Sequence, residues 1–157
     1  MKLSEIKILT EQIEKNMKSL VQILTQLNKN LNPHGQPREN ELCRHLQFMT
    51  DSEEEIIEFH LKKIVSEEHP YLVPVRSGKE TNSPGKINEP FSKLANNYLK
   101  LRQSLLQLLR SASPTDWDRT GLHSEKGHIS FEDVVRDINK RDKENIGFLN
   151  SELKALQ

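Results

Sequence analysis

The sequence predicts an all-α protein, a four-helix bundle whose second and third helices are joined by a long crossover loop. Three observations lead there. Four long segments carry apolar side chains in steps of three and four residues. Between the second and third of them lies "HPYLVPVRSGKETNSPGKINEP" (69–90), rich in Pro, Gly, Ser and Asn. Nothing reads as a strand beyond "YLVPV" (71–75), which is too short to carry a sheet.

The first helix covers 3–31, with Leu3, Ile6, Leu9, Ile13, Met17, Leu20, Leu24, Leu27 and Leu31 on a single seam. "NPHGQP" (32–37), with two prolines and a glycine, ends it. The second runs from about Arg38 to Glu67 and turns Leu42, Leu46, Met49, Ile56, Ile57, Leu61 and Ile64 inward; "DSEEE" (51–55) reads as a solvated stretch of it. Antiparallel neighbours need only a few connecting residues, whereas a link as long as 69–90 can carry the chain back along the bundle. The third helix opens near Pro90 and repeats Phe91, Leu94, Tyr98, Leu101, Leu105, Leu108 and Ala112 in near-heptad steps. "ASPTDWDRTGLHSEKGHIS" (112–130) is a structured loop punctuated by Pro114, Gly121 and Gly127, with Trp117 as its anchor. Ser130 and Asp133 then form a capping-box signature, and the fourth helix continues to about Leu156. Its stripe of Phe131, Val134, Val135, Ile138, Phe148 and Leu149 is interrupted by Arg141, Asp142 and Asn145. That polar gap is the feature that asks for an explanation.

A chain of 157 residues is expected to form one domain, 1–157, and to bury roughly 70% of its unfolded surface. Charged residues are 29% and mean hydropathy is −0.72, which suits helices with one charged face. Aromatics are only 5%, so the core rests on Leu, Ile and Val. Lysine plus arginine and aspartate plus glutamate both total 23. The resulting zero charge argues against nucleic-acid and anionic-membrane partners, and it leaves little repulsion against self-association, so a homodimer is expected. One cysteine, Cys43, excludes an internal disulfide and points to a reducing cytoplasm. The opening "MKLSEIKILTEQ" is too acidic for a signal peptide, and no long apolar run exists to span a membrane. No Ser-His-Asp arrangement, phosphate-cradling glycine loop or zinc-finger spacing is present.

Taken residue by residue, Arg141 reads either as an anion-binding group facing a pocket or as half of an interior ion pair with Glu41, Asp51 or Asp142. Asn145 reads as a hydrogen-bonded core amide, and His45 as a packed histidine with a ligand or general-base role as the sharper alternative. His123 and His128 read as loop structure, Cys43 as core filler, and His34, His60 and His69 receive no role.

"DWDRTGLHSEKGHISFEDVVRDINKRDKEN" resembles the last third of the DinB/YfiT-like superfamily, whose members read W-x-R-x-G-x-H-x-x-x-G, then Thr or Ser, then H-D-x-x-H. Trp117, Arg119, Gly121, His123, Gly127, Ser130 and Asp142 fall on that pattern. "DSEEEIIEFHLKKIVSEEHPYL" is similar to the superfamily's second helix and the loop after it. The resemblance implies a bundle of up-down-down-up connectivity. It also implies a divalent metal on three histidines, one from the second helix and an i, i+4 pair from the last, serving a metal-dependent hydrolase or thiol S-transferase. Here the pair is Arg141 and Asn145, and the second-helix position falls on His45 or on Phe48, depending on register. A guanidinium has no lone pair for a cation, and an amide oxygen is a weak donor. The expectation is therefore a bundle without metal or other cofactor, acting as a small-ligand-binding or structural module. His45, Phe48, Arg141 and Asn145 would line its pocket, and a small anion is the candidate ligand. The alternative keeps Zn, Ni or Mn in a hydrolase or thiol-transferase site rearranged around His45.

Overall fold

The computed structural model describes residues 1–31, 37–75 and 89–157. Most of the first turn, His34 included, and the crossover at 76–88 lie outside the described residues. The elements in order are α1 (Leu3–Asn30), α2 (Pro37–Ile56), a π-helical turn (Ile57–Leu61), α3 (Lys62–Ser66), β1 (Tyr71–Leu72), α4 (Phe91–Ser111), α5 (Pro114–Asp118), β2 (Thr120–His123), β3 (Gly127–Ser130) and α6 (Phe131–Leu156). The π turn joins α2 to α3 without a break, so α1, α2–α3, α4 and α6 are the four long helices the periodicity predicts. Among the described residues no helix is long and apolar enough to cross a membrane.

Two apolar clusters fix the helix directions. One holds Leu9 and Ile13 from the start of α1, Ile56 and Leu61 from the far end of the second helix, Leu105 and Leu109 from the end of α4, and Val134 and Ile138 from the start of α6. The other holds Leu20 and Leu27, Leu42 and Leu46, Phe91 and Leu94, and Leu149 and Leu153. Therefore α1 and α6 run one way and α2 and α4 the other, the up-down-down-up arrangement. The second and third long helices are parallel, so the chain must travel back along the bundle between them. That is the work of the long crossover.

Three local expectations need correcting. "DSEEE" is not simply solvated: Ser52 is 6% exposed and Glu53 5%. The buried stripe of α4 passes through Arg102, Leu106 and Leu109, while Leu101 and Leu108 are only partly buried. "YLVPV" does contribute to a sheet, a small one in the order β1-β2-β3, with β1 parallel to β2 and β2 antiparallel to β3. Three strands of two to four residues cannot make a core, and they need not. They cap one end of the bundle.

The cap is fastened by the motif residues. Trp117 is fully buried and meets Phe131 edge-on, with ring centroids 4.9 Å apart. Arg119 donates through Nε to the Ile64 carbonyl at 2.8 Å and through Nη2 to the Glu67 carbonyl at 2.7 Å, tying the loop to the end of α3. Gly121 permits the β1–β2 approach, since a Cβ there would stand 2.8 Å from Leu72 Cδ1 and 2.9 Å from the Pro70 carbonyl oxygen. Ser130 accepts from the Asp133 amide at 3.0 Å and Asp133 accepts from the Ser130 amide at 2.9 Å, completing the capping box that starts α6.

Candidate functional site: a buried ion cluster beneath an open cavity

Between the two apolar clusters lies a polar layer to which every long helix contributes. Its centre is Arg102 of α4, with no exposed surface. Arg102 Nε lies 3.1 and 3.2 Å from the two carboxylate oxygens of Glu53 on α2. Nη1 and Nη2 each donate to one oxygen of Asp142 on α6 at 2.7 Å, a bidentate fork. Nη2 also donates to the Tyr98 hydroxyl at 2.9 Å. From α1, the Asn16 side-chain amide donates to Asp142 at 2.9 Å and to the side-chain Oδ1 of Asn139 at 2.8 Å.

One cation thus faces two carboxylates in a dry layer. Burial raises the Glu53 pKa against the opposing pull of Arg102. Burial also drives the Tyr98 hydroxyl well up, and the Glu53 charge adds to it. Arg102 itself loses by burial, but the surrounding Glu53, Tyr98 and Asp142 more than offset that, and its pKa rises. The guanidinium is a fixed internal cation.

Above this layer, between α2 and α6, opens a cavity of about 440 Å³. Phe48, Met49, Ser52 and Ile56 form one wall, Asp137, Ile138, Arg141 and Asn145 the other, and Glu53, Tyr98 and Asp142 reach it from the ion cluster. Arg141 lies on the wall with its side chain 37% exposed, and its Nε donates to Asp137 at 3.0 Å, one turn back. It pairs with none of Glu41, Asp51 or Asp142. The reason is helical phase: Asp142 sits about 100° round from Arg141 and points inward to Arg102. Asn145 is half-buried on the same wall. His45 does not line the cavity; its ring lies 4.2 Å from that of Phe148, beside the Asn145 side chain. Burial lowers the His45 pKa, while Asn145 and Glu152 work the other way. The structure therefore gathers Phe48, Arg141 and Asn145 around one space and leaves His45 off its wall. Ser52, also on the wall, has a buried hydroxyl without a hydrogen-bond partner among the described residues.

A smaller cavity of about 90 Å³ adjoins it, sharing Ile56, Val75, Asp137 and Arg141, and adding His60, His123, Glu125 and Lys126. His60 sits in the π turn, a distortion often found at functional positions, and donates through Nε2 to the Val73 carbonyl. The residue, to which no role is assigned from sequence, is buried. Burial lowers its pKa, and the electrostatic influence of His123, Lys126 and Arg141 lowers it further against the Val73 hydrogen bond. His123 Nδ1 accepts from the Glu125 and Lys126 amides at 3.1 and 3.2 Å, and its ring meets that of His60 at 5.7 Å and 84°.

Sequence reasoning missed Glu53, Arg102, Ser52 and His60. Asn16, Glu53, Arg102 and Asp142 lie between the two apolar clusters, a shared level that becomes visible only once the helix directions are known.

Comparison with known proteins matches this architecture. The chain is similar to YfiT from Bacillus subtilis, described as a probable metal-dependent hydrolase with an unusual four-helix bundle topology. The TM-score is 0.68 at 16% identity, over 93% of this chain and 88% of that one. No protein-family model and no curated protein matches the sequence. The protein has the YfiT-type four-helix bundle fold.

At the two last-helix positions where the resemblance implies histidine ligands stand Arg141 and Asn145. The last-helix positions carry a guanidinium and an amide, and the carboxylates of Glu53 and Asp142 are engaged by Arg102. Among the described residues there is no group of three or more His, Cys, Asp or Glu side chains arranged to hold a metal ion.

Proposed function

We propose that this chain is a single DinB-like domain that works without a metal and binds a small molecule in the cavity between α2 and α6. The observation that carries the reading is Arg141, a permanent cation on the wall of an open cavity, at the position where the resemblance puts a metal ligand. Volume supports it, since about 440 Å³ lies within the range of small-molecule sites. The test is metal occupancy: purified protein incubated with Zn²⁺, Ni²⁺ or Mn²⁺ and then dialysed is expected to retain none, and stoichiometric retention refutes the reading.

The description of YfiT as a probable metal-dependent hydrolase favours a second reading of that class; the site would then be rearranged around His45, and the resemblance adds a thiol transferase as the other activity. Metal-dependent turnover lost in His45→Ala would establish it. The position of His45 against Phe148, away from the cavity wall, weighs for the first reading. We also propose a cytoplasmic homodimer. The absence of net charge supports self-association, as do the exposed apolar side chains Tyr71, Val73 and Leu122 at the small sheet.

A further inference from the structure

The narrow cavity sets the chemistry of the ligand, given the small-molecule reading above. The two cavities adjoin across Ile56, Val75, Asp137 and Arg141, so an elongated molecule can lie in both. The narrow one is lined by Arg141, Lys126, His60 and His123 together with the carboxylates of Glu125 and Asp137. His123 receives two backbone amides on Nδ1, which leaves its ring proton on Nε2, and its side chain is 4% exposed. Arg141 gives Nε to Asp137, and the Nη edge of its fork is the part shaped for a carboxylate. The wide cavity carries an apolar strip of Phe48, Met49, Ile56 and Ile138 with the Ser52 hydroxyl, buried without a partner among the described residues, and this strip faces the polar side chains of Lys140, Asp142, Glu144 and Asn145.

We propose that the cleft binds a small monocarboxylate: the carboxylate enters the narrow cavity between Arg141 and His123, and the apolar body fills the wide one beside Ser52. Size and charge both select this class. About 90 Å³ holds roughly three water-sized groups, enough for a carboxylate. Lys126 and Arg141 are matched there by Glu125 and Asp137, so every negative charge brought in is in excess, and a monoanion meets less repulsion than a phosphate dianion. Lys126, half-exposed and 3.9 Å from Asp137, can take up that carboxylate as Arg141 turns to the ligand.

The experiment is calorimetric titration of hexanoate, hexanol and inorganic phosphate into the wild-type protein and Arg141→Leu. Arg141 is partly exposed and bonded only to its own helix neighbour in the cleft, so the variant is expected to fold. Hexanoate should bind the wild type, with hexanol roughly tenfold weaker and phosphate silent. Arg141→Leu should lose roughly tenfold for hexanoate and nothing for hexanol, the effect of one charge-assisted contact. Proton–nitrogen NMR of the unmodified protein gives a second readout: hexanoate should shift the His123 Nε2–H resonance, and an unmoved resonance overturns the placement. Equal binding of hexanol and hexanoate, unchanged in the variant, overturns the carboxylate and leaves a small-molecule cleft. Binding of phosphate in place of hexanoate, or of none of the three probes, also overturns it, while the metal-free reading is judged separately by metal retention.

Discussion

A guanidinium can lie among apolar helices when its donors are taken up, and Arg102 meets that condition with Glu53, Asp142 and Tyr98. Removing it leaves two carboxylates and a hydroxyl facing one another in a dry layer. Arg102→Met should therefore destabilise the protein by roughly 3–5 kcal/mol in denaturant unfolding, the range for breaking a buried pair from one side. Adding Glu53→Gln and Asp142→Asn to that variant should recover a large part of the loss; if it recovers nothing, the cost is packing and the electrostatic account fails. Ser52 behaves in the opposite way. Its hydroxyl has no partner among the described residues, so Ser52→Ala should leave the melting temperature unchanged or raise it. A clear fall would reveal a structural bond that the ligand reading does not contain.

At the scale of elements, the π turn and the small sheet hold each other through His60 and Val73. Burial and the electrostatic influence of its neighbours depress the His60 pKa below 6.5, so between its folded value and 6.5 the unfolded chain binds more protons than the folded one. The stability tied to neutral His60 is present above about pH 6.5 and lost as pH falls through the folded value. Thermal melts of His60→Gln should show a flatter decline than wild type below about pH 6.5, and parallel curves would contradict the assignment. Gly121→Ala should cost about 1–3 kcal/mol, because a Cβ meets the Pro70 carbonyl and the Leu72 side chain. The helices were legible because period and capping are local: the Ser130–Asp133 box sits where the sequence put it. The sheet was not, since β1 has two residues and its parallel partner lies about fifty positions away, a pairing no local pattern encodes. Arg102 escaped for a similar reason. It follows Leu101 in a stripe that reads acceptably as a heptad, and only the presence of Glu53 and Asp142 opposite explains why the arginine turns inward.

For the whole molecule, two apolar ends are separated by one polar layer, and this arrangement fixes register. Sliding any long helix by a turn would place Asn16, Glu53, Arg102 or Asp142 against leucines, which buried charge does not tolerate. The parallel middle pair of helices needs the long crossover and leaves room for the cavity beside α6. Self-association belongs to this scale too: sedimentation equilibrium should give twice the monomer mass, and Tyr71→Lys with Leu122→Lys should return the protein to monomer. A dimer untouched by those changes would place its interface elsewhere.

On the reading proposed above, the space between α2 and α6 receives an organic ligand and no cation. Crystals equilibrated with Zn²⁺ and measured by anomalous diffraction at the zinc edge put this to the test. No anomalous peak is expected within coordinating distance of Arg141, Asn145 or Ser52, and a zinc ion held there by protein atoms would refute the reading.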